Sequence, residues 1–167
     1  LPLHRGERQT IHNLLECLLN PKTMLNGISP LISTELLDAL YRMGHGDEIV
    51  FADAHFPGET FGQRVIRADG LSIPSLLEAV LPLFPLDPYV NAPVAMMAAV
   101  PGDSLDPTVE EAYRAAIDKG GADGKVEIER VERFAFYDRV KTNYAVVMTG
   151  EMAKYGNIIL KKGLANI

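Results

Sequence analysis

The period of the hydrophobic positions changes along this chain, and the changes divide it into alternating helices and strands. Ile11, Leu14, Leu15, Leu18 and Leu19 fall at helical spacing, which predicts one amphipathic helix ending before Pro21. Further on, Ser33 is suited to cap a helix and Glu35 to sit in its positive first turn. Leu36, Leu37, Leu40 and Met43 supply its apolar stripe, and Gly44 closes it. Residues 48–52 then read as a strand, and 64–68 as a short extended piece before the turn Asp69-Gly70. Pro74 is placed as a first helical residue, with Leu76, Leu77, Val80, Leu81 and Phe84 as the buried face and Pro85 as the stop.

The second half repeats the alternation. Residues 94–100 form a continuous apolar run between prolines, the pattern of a strand covered on both faces. Asp106-Pro107 opens another helix carrying Val109, Ala112, Tyr113, Ala116 and Ile117, which ends at Gly120-Gly121. Residues 126–131 alternate apolar and charged side chains as an extended segment should. Phe134, Tyr137 and Val140 predict a short helix, followed by a strand over 144–149, a loop over 150–156 and a last strand over 158–161. The sum is an α/β fold: a single-domain layered α/β/α arrangement with a mixed, largely parallel central sheet. Met24 reads as a natural start, which makes 1–23 an N-terminal extension and 24–167 the domain.

Composition narrows the partners. At 167 residues and 47% hydrophobic, the chain can bury a real core without disulfides or a structural metal. Cys17 is the single cysteine, and no apolar run approaches a membrane span, so a reducing, cytoplasmic setting is favoured. The formal charge of −6 and the lack of a Lys/Arg block argue against nucleic acid. A neutral or cationic small molecule fits better.

Chemistry concentrates in M-G-H-G-D-E-I-V-F-A-D-A-H-F-P at 43–57. His45 lies between two glycines, where the backbone can bring the ring close to a ligand, and imidazole can give or take a proton near neutrality without a cofactor. The same residue also reads as a loop histidine beside a helix-ending glycine. Asp53 follows a strand, where open α/β sheets collect ligands; it can hold sugar hydroxyls, or simply cap its own turn. Asp47 and His55 are weaker candidates. His45-x-Asp47 and Asp53-x-His55 raise a metal site, but no further histidine exists outside the extension and the spacing matches no established ligand pattern, so no metal is expected. The chain has no G-x-S-x-G elbow, G-x-G-x-x-G or P-loop, so no cofactor is expected. Arg133, ahead of F-A-F-Y, and Tyr155-Gly156-Asn157, between two strands, are polar sets suited to a carbohydrate; each also reads as ordinary surface or turn chemistry.

In these segments the chain resembles the fucose mutarotases, the family that also contains the bacterial ribose pyranases. The matching stretches are I-S-P-L-I-S at 28–33, the 43–57 segment, V-I-R-A-D-G at 65–70, M-M-A-A-V at 96–100, R-F-A-F-Y at 133–137 and T-G-E-M-A-K-Y-G-N-I-I-L-K-K-G at 149–163. R-A-D-G and R-F-A-F-Y favour the fucose branch. The resemblance implies His45 as proton donor and Asp53, Arg133, Tyr155, Gly156 and Asn157 as contacts to a monosaccharide such as L-fucose. It also implies a homo-oligomeric ring, often a decamer, with sites near subunit boundaries. A sugar-binding module without turnover and a ribose pyranase activity are the alternatives.

Overall fold

The computed structural model describes residues 25–122 and 125–165. The chain divides into two compact units, Leu1–Pro30 and Leu31–Ile167. In the first, the Ile28 amide donates to the Leu25 carbonyl at 3.3 Å, closing a turn. The helix predicted over residues 11–19 lies outside the described residues.

In the second unit the predicted alternation is present. Helix α1 (Thr34–Arg42) is capped by Ser33, whose hydroxyl accepts the Leu36 amide, and it buries Leu36, Ala39 and Leu40. Then come β1 (Glu48–Ala52), α2 (Gly58–Phe61), β2 (Val65–Ala68), α3 (Ile73–Val80) and β3 (Val94–Met97). These are followed by α4 (Pro107–Lys119), β4 (Ile128–Val131), α5 (Arg133–Val140), β5 (Ala145–Thr149) and β6 (Ile158–Lys161). Ser72 and Asp106 cap α3 and α4.

The six-stranded sheet among the described residues runs β2-β5-β1-β6-β3-β4. β1 pairs in parallel with β5, β5 with β2, and β3 with β4, whereas β6 lies antiparallel to both β1 and β3. The sheet is thus mixed and largely parallel. Val50, Ala52, Ala95, Met97, Val146, Met148 and Ile159 form one core with Phe136 and Val140 of α5, against which Phe61 of α2 also packs. The alternate residues Ile49, Phe51, Val94, Met96, Ala145 and Val147 are equally buried and point to the opposite face. The buried residues of α1, α3 and α4 belong to no part of that first core, which leaves the opposite face for them to cover.

Besides shifts at the ends of elements, three details stand out against the sequence reading. The strand over 94–100 ends at Met97. The face of α5 is rotated: Phe136 is fully buried and Phe134 is 67% exposed, so the inner positions are Phe136 and Val140 rather than Phe134. The single turn α2 was not expected; it follows Pro57, and its Gly58 packs so closely that a Cβ would meet Met148 Sδ at 2.3 Å.

Candidate active site

β1 carries candidate residues at both ends. At its start, α1 stops at Met43 and the chain turns through Gly44 to Asp47. Asp47 Oδ2 accepts the Gly44 amide at 2.7 Å, and Gly46 takes a φ of +87° that favours glycine. The Gly46 amide donates to Lys162 O, and the Lys162 amide returns the bond to Asp47 O, both at 2.8 Å, so the turn is tied to the end of β6. His45 projects from it with 41% of its side chain exposed. Its Nε2 lies 3.1 Å from Asp87 Oδ1, and its ring sits 5.5 Å from that of Tyr89.

Asp87 is 4% exposed. It is placed beside β6 by the bridge between Leu86 and Lys162 and by its own amide, which donates to Lys161 O. Burial alone would push its carboxyl up, but the Tyr89 amide and His45 outweigh that and leave it below the usual carboxylate range. An ionised carboxylate only accepts, so Nε2 donates and Nδ1 is left to face a ligand.

The other end of β1 opens on a cleft of about 440 Å³, lined in part by Asp53, Arg133, Tyr155, Asn157, Phe56, Pro57, Met97 and Met152. That volume suits a small molecule. The cleft collects residues from the carboxyl ends of the parallel strands, and because β6 runs against them its leading loop arrives there too. Asn157 Oδ1 accepts the Asp53 amide at 2.8 Å, and Asp53 Oδ1 accepts the His55 amide at 3.0 Å. Asp53 therefore does cap its own turn; the residue is only 5% exposed, and burial raises the proton affinity of its carboxyl. Arg133 begins α5, its Nε donating to Tyr137 Oη at 3.1 Å.

Tyr155 has a φ of +59°, left-handed for a residue with a Cβ, which costs of order 1 kcal/mol. Neighbouring contacts hold the loop against that strain. The buried Tyr113 hydroxyl donates to Gly156 O at 2.7 Å, and Thr149 Oγ1 reaches across to Ala52 O at 2.8 Å. Gly156 lies behind the cleft wall, where a Cβ would come within 2.8 Å of Ala153 O and 3.1 Å of Tyr113 Oη; packing against these two groups accounts for the glycine.

Within one chain, then, Asp53, Arg133, Tyr155 and Asn157 meet, and His45 stands apart. The five residues of β1 separate it from Asp53 by roughly 15 Å of extended strand. The same separation parts His45 and Asp47 from Asp53 and His55. Among the described residues no three His, Cys, Asp or Glu side chains converge as a metal site would require.

A profile of the RbsD / FucU transport protein family matches residues 26–165. The chain belongs to that family. A relative in Actinobacillus pleuropneumoniae serotype 5b named L-fucose mutarotase is 63% identical over 145 residues, which cover 86% of this chain and 99% of that one. The crystal structure described as the fucose mutarotase in complex with L-fucose from Streptococcus pneumoniae superposes with a TM-score of 0.79 at 46% identity, covering 85% of this chain and 100% of that one. The structure of Bacillus subtilis RbsD complexed with D-ribose gives a TM-score of 0.65 at 22% identity, covering 81% of this chain and 95% of that one, which shows the shared fold alone.

Some residues of this RbsD / FucU member escaped the sequence reading. Asp87 stands alone between Leu86 and Pro88, and only the pairing of that segment with β6 brings it to His45. Tyr113 read as one more apolar position of α4, although its hydroxyl supports the Tyr155 loop. A tyrosine on a fully buried stripe is a signal in itself, since its hydroxyl must find a partner.

Proposed function

We propose that this protein is an L-fucose mutarotase, an isomerase that interconverts the α and β anomers of the sugar without a cofactor. The 63% identity to a relative of that name carries the reading, and the cleft at the carboxyl ends of the strands, with Asp53, Arg133, Tyr155 and Asn157 in its wall, supports it. Anomer exchange needs the ring to open: a proton goes to the ring oxygen, another leaves the anomeric hydroxyl, and the free aldehyde closes again on its other face. Nothing is oxidised. In this scheme His45, as the imidazolium, gives its Nδ1 proton to the ring oxygen, Asp53, Arg133 and Asn157 hold hydroxyls, and the Tyr155 phenol accepts from the anomeric hydroxyl, whose proton leaves to a water as the ring opens. Asp87 orients the His45 ring. Positioned acid–base catalysis of this kind gives roughly 10²–10⁴-fold.

One sugar cannot touch both ends of β1 in a single chain. We therefore place His45 of one copy against the Asp53 cleft of a neighbouring copy, in a ring-shaped homo-oligomer, a decamer by the resemblance. A cytoplasmic setting completes the proposal, and among the described residues no helix is long and apolar enough to cross a membrane. Saturation-transfer NMR on L-fucose, D-ribose and D-galactose tests it: fucose anomers should exchange fastest with protein present. Binding of fucose without faster exchange would make this a sugar-binding module instead.

A further inference from the structure

The loop that follows β3 reaches over to the Tyr155 side of the cleft. Gly102, at a φ of +86°, and a turn in which the Asp103 amide donates to Val100 O at 3.0 Å present the Asp103 carboxylate there. Its Oδ2 accepts the Tyr155 hydroxyl at 2.7 Å and Lys154 Nζ at 2.5 Å, while Oδ1 accepts the Ser104 amide at 2.9 Å. Lys154, Tyr155 and Ser104 together hold this carboxyl well below the usual range, at about 2. It is an anion at any physiological pH, and an anion only accepts.

A phenol has one proton to give and lone pairs to receive with. The Tyr155 proton is committed to Asp103, and the same phenol belongs to the lining of the cleft. We propose that Asp103 is a positioning residue that fixes the hydrogen-bond polarity of Tyr155, so that the phenol meets a bound sugar only as the acceptor of a hydroxyl hydrogen. The inference rests on the mutarotase reading and gives it a direction. Ring opening draws electrons from the anomeric oxygen as the bond from the anomeric carbon to the ring oxygen breaks. An acceptor on that hydroxyl raises its electron density and assists the step; a donor in the same place would oppose it.

A double-mutant cycle tests this, with anomer exchange of L-fucose followed by saturation-transfer NMR over a range of sugar concentrations. Asp103→Ala should lower kcat about tenfold with KM within about threefold of wild type. In a Tyr155→Phe background the same substitution should cost nothing further, because Asp103 acts through the phenol. An additive loss in the double variant, a change confined to KM, or unchanged kcat in Asp103→Ala would overturn the proposal. Thermal melts check folding, and Asp103→Ser serves if the alanine variant does not fold. Wild-type protein that leaves exchange at the spontaneous rate would overturn the mutarotase reading itself, and this inference with it. Active wild type with an additive cycle sinks the polarity argument alone.

Discussion

The Nε2 of His45 lies 3.1 Å from Oδ1 of Asp87, a buried acid 42 positions away in the sequence. The contact fixes one ring nitrogen and leaves the other for a ligand. Asp87→Asn keeps an oxygen for the Tyr89 amide but removes the charge that commands Nε2. We expect kcat for fucose anomer exchange to fall about tenfold with a smaller change in KM, as befits a residue that orients an acid rather than binds sugar. Exchange at wild-type rate would remove Asp87 from the mechanism.

His45→Ala should lose the catalysed part of exchange, about 10²-fold or more, and keep its melting temperature, because 41% of the side chain is exposed. A site divided between copies, as proposed, would allow a sharper test. If His45 of one copy serves the Asp53 cleft of another, co-expressed His45→Ala and Asp53→Asn chains rebuild intact sites in about a quarter of cases by random mixing. A site confined to one chain would give no recovery.

Asp53→Asn separates activity from stability. Burial raises the Asp53 carboxyl above its ordinary value, so its contribution to stability is present below the unfolded pKa and lost as pH rises through the folded one. The amide oxygen still serves the His55 amide. The variant should therefore melt higher than wild type at pH 7, and the gap should close near pH 3, where both side chains are neutral. Exchange should drop about tenfold. A lower melting temperature at pH 7 would contradict the burial argument.

Glu48, at the start of β1, has 11% of its side chain exposed and is bound by Arg139 Nη2 at 2.7 Å and Lys161 Nζ at 3.1 Å. Burial raises its carboxyl, but the two cations more than offset that and leave it below the usual range. Its stabilising share is therefore present above the unfolded pKa and lost as pH falls through the folded value. Arg139→Met should cost about 2 kcal/mol in urea unfolding at pH 7, since Lys161 still neutralises part of the charge. The cost should shrink below about pH 4.

The fold was legible wherever local signals agreed. Ser33, Pro74 and Asp106 announced their helices, and uninterrupted apolar runs announced β1, β3 and β5. Helix α5 misled because it holds two phenylalanines two positions apart, and spacing alone favours Phe134 with Tyr137 over the Phe136 that is buried. The site was legible as residue types but not as an arrangement. His45 and Asp53 are close in sequence, yet a strand lies between them and holds them apart. Asp53 and Tyr155 are distant in sequence, and reversed strand direction unites them on one cleft. Pairing order is a tertiary property that no local pattern encodes.

Strand β6 has Asn157 just before it and Lys162 just after it, the first bound to Asp53 and the second to the His45 turn. One short stretch of backbone therefore acts as the ruler between donor and receptor halves. In a closed ring its four residues would set how far apart successive catalytic centres fall. Lengthening it by one position would displace both halves at once.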